Sequence, residues 1–540
     1  MNKFDVFSSS WAETIYKQKY SKDGIEKWAD TCKRVVEAVC SQLVDVKTKD
    51  KIYNIMLERK FIPGGRYLYS AGRSFHQVNN CFLFRAEDSR EGWADIAQKV
   101  TASLMTGGGI GVDYSSLRPK GAHIKRTGGV STGPMALIHL VNESGRFIMQ
   151  GGQRRSAIWA GLNWSHNDIK DFIHCKDHST DLLALKVKDL TFPMPMELTN
   201  ISVIYDTEFF MAIENEEHPK HQLAKDVWID NCKQAFSTAE PGMSFNFRKD
   251  LESLRNACCE VTSEDDSDKC NLGTVWINRI KDKKELSEVV KYSTIFLLCG
   301  SIYSDVPTDR IRTVGTKNNR IGLGLGGIHE WLMQRGVGYQ CNAELHSWLA
   351  VYEQESDGAA FIGAKQLGVA VPKGVRAIAP TGTIGIIAET TTGIEPLFCK
   401  AYKRRYYKDG QWLYQYVVDG SVKRLLDQGI AIEQIRDSYD ISFKQRVKFQ
   451  ADVQNYVDMA ISSTCNMPAW GSEGNEESSL KKNADTLLKY SKRLRGFTVY
   501  PEASRMGQPL TRCDLKEALE SEGKVFEDKE VECIGGVCGI

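Results

Sequence analysis

The sequence lacks any strong imbalance of charge and any long apolar segment. Its 70 lysines and arginines nearly cancel its 69 aspartates and glutamates, which leaves a net charge of +1. Such a balance excludes the basic surface that binds nucleic acid or an anionic membrane. The most apolar run, STIFLLCG at 293–300, is too short to span a bilayer, and MNKFDVFSSSWAETIYKQ contains no signal-peptide stretch. We therefore expect a soluble, cytoplasmic protein without a nucleic-acid or membrane partner.

The sequence also lacks the paired ligands of a zinc site. No two Cys-x-x-Cys or Cys-x-x-His pairs occur at suitable spacing, and so we predict no metal site. The fifteen cysteines are odd in number and follow no secretion signal, which argues against structural disulfides. We interpret most of them, such as Cys40 and Cys299, as small buried hydrophobes.

The chain divides into three parts by its patterns. Residues 1–60 have apolar positions three or four apart, which predicts a helical segment. From 61 to about 510, short apolar runs such as NCFLFRA, ISVIY, VRAIAP and FTVYP alternate with amphipathic helical stretches. This alternation predicts an α/β protein with mostly parallel strands. Residues 511–540 are charged and end in a glycine-rich tail, which predicts disorder.

The glycine run GLGLGG at 322–327 invites a dinucleotide-binding interpretation. It follows no clear strand, and no acidic residue stands usefully about twenty positions further on. We interpret these glycines as positions of close backbone packing instead.

The stretch LRNACCEVTSEDDSDKCNLGTVWINRI at 254–280 holds the most informative residues. Asn256, Cys258 and Glu260 would line one face of an extended segment, and they offer an amide, a thiol and a carboxylate. Such a set suits redox or acid–base chemistry. Cys270 follows shortly, before Asn-Leu-Gly. Spacing alone leaves a packing role for these residues open.

A second feature is the chain end, VECIGGVCGI, which carries Cys533 and Cys538 among pliable glycines. From the residues alone, three interpretations of this pair stay open: a metal-binding pair, a fortuitous disulfide, or a mobile dithiol. A thioredoxin-type oxidoreductase is disfavoured because the pair lacks the helix N-terminus that such sites use.

Several motifs, in order, resemble those of ribonucleotide reductase catalytic subunits. Asn-x-Cys-x-Glu followed by Cys-Asn-Leu-Gly is similar to the family's active-site loop. NNCFLFRAEDS (79–89) resembles the family's first redox strand, and the terminal Cys-x4-Cys resembles its shuttle dithiol. Residues 107–125 resemble the glycine-rich turn and the effector segment that follows it. Residues 151–169 resemble the specificity loop, and residues 379–398 resemble the phosphate-binding strand–turn–helix.

The resemblance implies a fold and a division of the chain. The fold is a ten-stranded α/β barrel, whose two five-stranded parallel halves run antiparallel around a central finger loop that carries Cys258. The barrel would span 61–510, between an N-terminal helical segment (1–60) without an ATP-cone and a flexible redox tail (511–540). We expect a homodimer, because the family's specificity loop works across a dimer interface.

The resemblance also implies a reaction, the replacement of a ribose 2′-hydroxyl by hydrogen. Cys258 would become a thiyl radical, Glu260 the general base and Asn256 the group that orients the sugar hydroxyls. Cys81 and Cys270 would supply two electrons and end as a disulfide. Cys533 and Cys538 would reopen that disulfide and pass it to a thioredoxin- or glutaredoxin-like reductant.

Binding residues follow from the same motifs. The ribonucleotide substrate, a di- or triphosphate, would contact these residues: Asn80, Gly109, Pro380, Thr381, Gly382, Thr383 and Ile384. An allosteric dNTP or ATP effector would contact these: Asp88, Ser89, Arg118 and Lys125. From the residues alone, hydroxyls at a helix start are equally an ordinary helix cap.

The radical source divides the family into classes. Class I subunits draw the radical from a separate metal-containing small subunit through two adjacent tyrosines. Here the matching stretch reads Thr498-Val499-Tyr500, so the second tyrosine is missing. The pattern Thr-Val-Tyr-x-x-x-Ser-Arg resembles class II, which uses adenosylcobalamin. We therefore predict class II, with a class I subunit as the alternative and a non-catalytic nucleotide-binding regulatory barrel as a more remote one.

Overall fold

The computed structural model describes residues 3–43, 45–148, 156–189, 192–247, 249–408, 411–504 and 510–526. Its strands are β1 Phe61–Pro63, β2 Cys81–Arg85, β3 Gly109–Asp113, β4 Ile158–Asn163, β5 Thr199–Tyr205, β6 Gly242–Phe245, β7 Leu254–Arg255, β8 Thr262–Ser263, β9 Asp268–Trp276, β10 Ile321–Gly326, β11 Ala401–Lys408, β12 Gln411–Val418, β13 Thr464–Met467, β14 Gly496–Pro501, β15 Leu510–Arg512 and β16 Val525–Phe526.

Helices lie between most of these strands. They are α1 Ser10–Lys19, α2 Trp28–Val39, α3 Val46–Leu57, α4 Gly65–Ser70, α5 Arg90–Met105, α6 Pro134–Phe147, α7 Ile169–Ile173, α8 Thr180–Lys188, α9 Thr207–Glu214, α10 His221–Thr238, α11 Lys283–Tyr303, α12 Asp309–Asn318, α13 Ile328–Met333, α14 Ala343–Leu367, α15 Gly382–Ala388, α16 Gly420–Asp427, α17 Phe443–Gln454, α18 Glu477–Ser491 and α19 Leu515–Glu520.

Five strands form the first half of the main sheet. β2, β3, β4, β5 and β6 are neighbours in that order, and every pair is parallel. Helices connect them, as parallel strands require. Alternate residues of these strands face outward into one apolar cluster with the helices, among them Phe82, Val112 and Val203. The other residues of each strand face the interior.

The second half is built from β9, β10, residues 375–378, β13 and β14. β9 and β10 are parallel, and so are β13 and β14. Residues 375–378 lie between the two pairs, with isolated parallel bridges to Leu323 of β10 and to Ile461, which precedes β13. The Ala377 amide donates to the Leu323 carbonyl at 3.1 Å, and the Ser462 amide donates to the Ile378 carbonyl at 2.8 Å. This segment therefore serves as the fifth strand.

Two antiparallel contacts close the structure. β2 pairs with β9, and β6 pairs with β14. The two parallel halves therefore run antiparallel to each other, and the predicted ten-stranded α/β barrel is confirmed. β1 extends the sheet by pairing antiparallel with the end of β9.

A short hairpin of β7 and β8 forms the finger inside the barrel. It lies against β3, where a Cβ added at Gly111 would stand 1.8 Å from the carbonyl oxygen of Arg255. On the other side, the Ala460 amide donates to the Glu260 carbonyl at 2.9 Å. The hairpin tip thus contacts both halves of the barrel, and only glycine at 111 permits this approach.

The run GLGLGG lies in β10 and the residue after it. A Cβ at Gly324 would stand 2.8 Å from the Ala377 carbonyl oxygen, and one at Gly322 would stand 2.4 Å from the Leu272 side chain. These glycines allow close packing of the second half, as we expected from the sequence.

The chain after the barrel differs from our expectation of a flexible tail from residue 511. Residues 510–526 form β15, α19 and β16, and both strands pair with the hairpin β11–β12 in a separate four-stranded sheet. Asp514 caps α19 by accepting from the Lys516 and Glu517 amides. Ala518 is buried in a small apolar cluster with Ala401 and Val418. Capping and this apolar face order a segment whose composition is charged.

Candidate active site

The finger tip is a turn, whereas we expected an extended segment. The Cys259 amide donates to the Asn256 carbonyl at 3.0 Å, and Cys259 has a φ of 67°. A left-handed residue reverses the chain, so side chains two positions apart do not share a face by strand geometry. The Asn256 side chain closes the turn by accepting from the Val261 amide at 3.0 Å.

Asn256 and Glu260 nevertheless meet at one atom, the sulfur of Cys81. The Asn256 Nδ2 group donates to Cys81 Sγ at 2.9 Å. The Cys81 thiol donates to Glu260 Oε1 at 3.9 Å. All three residues are buried. An amide, a thiol and a carboxylate from β2 and the finger therefore form one cluster, although 175 residues separate Cys81 from Asn256.

Burial shifts the acid–base behaviour of this cluster. Desolvation raises the pKa of Glu260 from 4.5 to about 7, against the hydrogen bonds from its neighbours. Its Oε2 atom is buried and has no hydrogen-bond partner among the described residues. Burial, with the Glu260 charge nearby, also raises the pKa of Cys81 well above its usual range. At neutral pH the site holds a protonated thiol beside a carboxyl group poised between its two forms.

Cys270 stands opposite Cys81 in the β2–β9 pair. Both side chains are buried in a small cluster with Leu83, Leu254 and Val261. Burial raises the pKa of Cys270 as well. The structure therefore brings together both thiols that the resemblance pairs.

The two adjacent cysteines of the finger differ in exposure. The Cys258 side chain is exposed, whereas Cys259 is partly buried and its thiol is hydrogen-bonded to Ser202 of β5. Desolvation raises the pKa of Cys259 to about 12. Among the predicted site cysteines that the structure describes, Cys258 is therefore the one with an exposed side chain.

Arg255 at the base of the finger had no signal in the sequence. It is fully buried, and its guanidinium donates to the carbonyls of Glu252 at 2.6 Å and Phe245 at 3.3 Å, and to Asn246. Arg495 pairs with Glu252 beside it at 2.8 Å. These bonds hold the finger at β6 and at the residue before β14.

Asn80 and Gly109 lie beside the cluster. The Asn80 amide donates to the Cys270 carbonyl at 3.1 Å, and the Gly109 amide donates to the Asn80 carbonyl at 2.9 Å. The side-chain Oδ1 of Asn80 is buried without a partner among the described residues.

The segment of Pro380, Gly382, Thr383 and Ile384 begins next to the same cluster. Ala377 belongs to the apolar group around Cys81 and Cys270, and Ala379 packs against it. Thr381 precedes α15 with a φ of 51°, and its hydroxyl accepts from the Gly393 amide at 3.2 Å. This segment leads from the cluster into α15.

The predicted effector residues follow β2 and β3 in the chain. Arg118 pairs with Asp88 at 2.8 Å, and Ser89 caps α5 by accepting from the Gly92 amide at 2.9 Å. Lys125 is exposed in a hairpin where His123 bridges Val130. The structure therefore brings Asp88, Ser89 and Arg118 together at the end of β2.

Some predicted features lie outside the described residues. These are Cys533, Cys538 and residues 151–155 of the 151–169 stretch. Its later part forms β4. The class-dependent stretch is described: it forms β14, where Val499 is buried opposite Cys465 of β13.

The barrel and its thiol–carboxylate finger define an oxidoreductase class that works through cysteine chemistry. A family model, "Ribonucleotide reductase, barrel domain", matches residues 79–347 and 372–500. The chain belongs to the ribonucleotide reductase family, and its enzymatic activity is ribonucleotide reduction.

The chain is similar to named relatives in sequence and to a solved structure in fold. A vitamin B12-dependent ribonucleoside-diphosphate reductase of Thermoplasma acidophilum is 26% identical over 92% of this chain and 71% of its own length. A putative adenosylcobalamin-dependent ribonucleoside-triphosphate reductase of Mycobacterium phage D29 is 25% identical over 85% and 76%. The fold is similar to the class Id ribonucleotide reductase alpha subunit of Actinobacillus ureae, with a TM-score of 0.72, 15% identity and coverage of 93% and 98%.

No helix in the described ranges combines the length and the apolar character that crossing a bilayer requires.

Proposed function

We propose that this protein is a class II ribonucleotide reductase, which uses adenosylcobalamin to make deoxyribonucleotides for DNA synthesis. The observation that carries the proposal is the cluster of Cys81, Asn256 and Glu260 beside the exposed Cys258. Named relatives described as B12- or adenosylcobalamin-dependent support the class.

In this account Cys258 acts first on the substrate. As a thiyl radical it takes the hydrogen atom from the ribose 3′ carbon, while Glu260 takes the proton of the 3′-hydroxyl. Glu260 suits this role because its pKa of about 7 lets it accept and return a proton at neutral pH. Asn256 holds Cys81 and orients the ribose hydroxyls.

Loss of the 2′-hydroxyl as water requires a proton and two electrons. Cys81 and Cys270 supply the electrons and become a disulfide, and the high pKa of Cys81 keeps its thiol protonated for the departing hydroxyl. Thiol–disulfide exchange with Cys533 and Cys538 then restores both thiols. A thioredoxin- or glutaredoxin-like protein reduces the terminal pair.

Substrate and effector bind at separate places. The ribonucleotide, a di- or triphosphate, contacts Asn80 and Gly109, and its phosphates contact the segment that precedes and begins α15. The unpartnered Oδ1 of Asn80 supports the first contact. A dNTP or ATP effector contacts Asp88 and Arg118, whose mutual pairing it replaces, together with Ser89 and Lys125. The working enzyme is a cytoplasmic homodimer.

The residues present fit an externally supplied radical. Cys258 is exposed, whereas Cys81 and Cys270 are buried, so an approaching cofactor meets the thiol that must be activated. When bound, adenosylcobalamin supplies the one-electron oxidising equivalent that turns this thiol into a thiyl radical. Val499 has no oxidisable side chain, which disfavours a relay through paired tyrosines at β14.

Class I remains the second candidate because the class Id alpha subunit shares the fold. In that case a small metal-containing subunit would deliver the radical. A non-catalytic regulatory barrel is a more remote candidate, and the complete set of active-site thiols and Glu260 argues against it.

The test is deoxynucleotide formation by the purified chain with dithiothreitol and an effector nucleotide, with and without adenosylcobalamin. Product that depends on the cobalamin is expected. Product that instead requires a metal-loaded small subunit would assign class I, and effector binding without any product would favour the regulatory barrel.

A further inference from the structure

The inner face of β5 carries one residue that differs from its surroundings. Alternate residues of this strand, Ile201, Val203 and Tyr205, belong to the outer apolar cluster, so Asn200 and Ser202 face the interior. Among the residues of β2–β6, all of which the structure describes, Asn200 is the one that is exposed. An exposed amide on the inner face of a barrel strand marks an opening beside it.

Asn200 reaches the finger tip directly. Its Nδ2 group donates to the carbonyl of Ala257 at 3.3 Å. The next residue, Cys258, is exposed as well. Ala257 also packs closely on β3, since a Cβ at Gly109 would stand 3.0 Å from its Cβ. Asn200 and Cys258 therefore border the same opening at the finger tip.

The geometry points to Asn200 as a substrate-positioning residue that hydrogen-bonds a ribose hydroxyl of the bound nucleotide. This inference rests on the proposed function, in which Cys258 acts on the ribose. Asn200 contacts the residue before Cys258 and borders the same opening. Because Cys258 acts on the ribose, the Asn200 side chain would meet the ribose rather than the phosphates. The amide suits a hydroxyl because it both donates and accepts.

The test is equilibrium binding to the full chain without adenosylcobalamin, so that no turnover occurs. The probes are cytidine diphosphate and triphosphate, with their 2′-deoxy and 3′-deoxy analogues, and the proteins are wild type and Asn200→Ala. Asn200→Ala is expected to weaken binding of the ribonucleotide about fivefold, the effect of one lost hydrogen bond. It is expected to leave at least one deoxy analogue unchanged, because the partner hydroxyl is already absent.

The matched control is Ser202→Ala, the buried neighbour on the same face, which accepts from the Trp159 indole at 2.9 Å. It is expected to lower thermal stability without changing the preference among probes. If Asn200→Ala weakened the binding of all probes equally, Asn200 would act only by holding the finger in place, and the inference would be overturned. If the wild type bound none of the nucleotides, the proposed function would fail as well, so the two failures are distinguishable.

Discussion

Cys81 and Cys270 lie directly opposite each other where the two halves of the barrel meet. Opposed residues of an antiparallel pair have Cα atoms about 4.5–5.5 Å apart, which is within the range that a disulfide spans. The two buried thiols can therefore be oxidised without rearrangement of the barrel. In the proposed mechanism, the junction between the halves would also store the reducing equivalents.

The first prediction concerns this pair. Wild-type protein given substrate and radical source but no external reductant is expected to form about two products per chain, one from each of its two dithiols. Mass spectrometry of the spent protein is expected to show a Cys81–Cys270 disulfide and a Cys533–Cys538 disulfide. Cys81→Ser and Cys270→Ser should each lower product formation by more than about 100-fold, because one thiol cannot supply two electrons.

The control for this pair is Cys399→Ser, which changes a buried cysteine that we place outside the active site. It is expected to retain the wild-type yield. A disulfide that involves cysteines outside these two pairs would contradict the assignment.

The second prediction is a pH dependence of turnover. As general base, Glu260 must be ionised, and its pKa is about 7. The rate is therefore expected to rise with pH, with about tenfold less activity at pH 6 than at pH 8. Glu260→Gln should abolish nearly all activity, and the remaining activity should no longer rise with pH. A flat profile between pH 6 and pH 8 would argue against Glu260 as the base.

The third prediction is the effect of the same residue on stability. The folded-state pKa of Glu260 lies above its ordinary value of 4.5, so the unfolded chain loses the proton first. Stability contributed by the neutral form is complete below pH 4.5 and is lost as the pH rises towards 7.

Glu260→Gln, which stays neutral, is therefore expected to gain relative stability over that range. The shift corresponds to about 3 kcal/mol at full ionisation. Denaturant unfolding of both proteins at pH 4.5, 6 and 8 would measure it. A difference in unfolding free energy that does not change with pH would refute this account of the Glu260 environment.

The fourth prediction concerns the approach of the finger to β3. In Gly111→Ala the new Cβ would stand 1.8 Å from the Arg255 carbonyl oxygen, a contact that no side-chain movement relieves. The variant is expected to displace the finger, losing more than about 3 kcal/mol of stability and all detectable turnover.

The matched control is Gly358→Ala in α14, where an added Cβ has no neighbour within 4 Å. It is expected to be neutral or to stabilise by about 0.5–1 kcal/mol, because alanine favours helix. Thermal unfolding and turnover of both variants test the comparison. Wild-type activity in Gly111→Ala would show that the finger does not depend on this close approach.

The regular elements of the barrel were accessible from the sequence because their signals are local. The runs NCFLFRA and FTVYP became β2 and β14, and EGWADIAQKVTASLM became α5. The run VRAIAP, which we also expected to be a strand, supplies the fifth strand of the second half through residues 375–378. Its partners could not be predicted, because isolated bridges join it to β10 and to Ile461, which are distant in the chain.

The hairpin β11–β12 was missed although it carried a signal. The sequence Asp-Gly at 409–410 is a typical signal for a hairpin turn, and aromatic residues are frequent on both sides of it. The charged composition after 510 concealed two strands because their stability comes from pairing with this hairpin.

The active-site residues were predicted mainly through family resemblance, and their contacts could not be. The shared face expected for Asn256, Cys258 and Glu260 assumed a strand, whereas the left-handed φ of Cys259 makes a turn. That Asn256 and Glu260 both contact Cys81 follows from the closure of the barrel around the finger. No local pattern contains that information.

The central claim is that the exposed Cys258, and not its neighbour Cys259, takes up the radical from adenosylcobalamin. The most direct measurement is exchange of tritium from the 5′ carbon of labelled adenosylcobalamin into water, with wild type, Cys258→Ser and Cys259→Ser. We predict exchange with wild type and Cys259→Ser and none with Cys258→Ser. Exchange that survives Cys258→Ser but is lost in Cys259→Ser, or that is absent from all three proteins, would contradict the account.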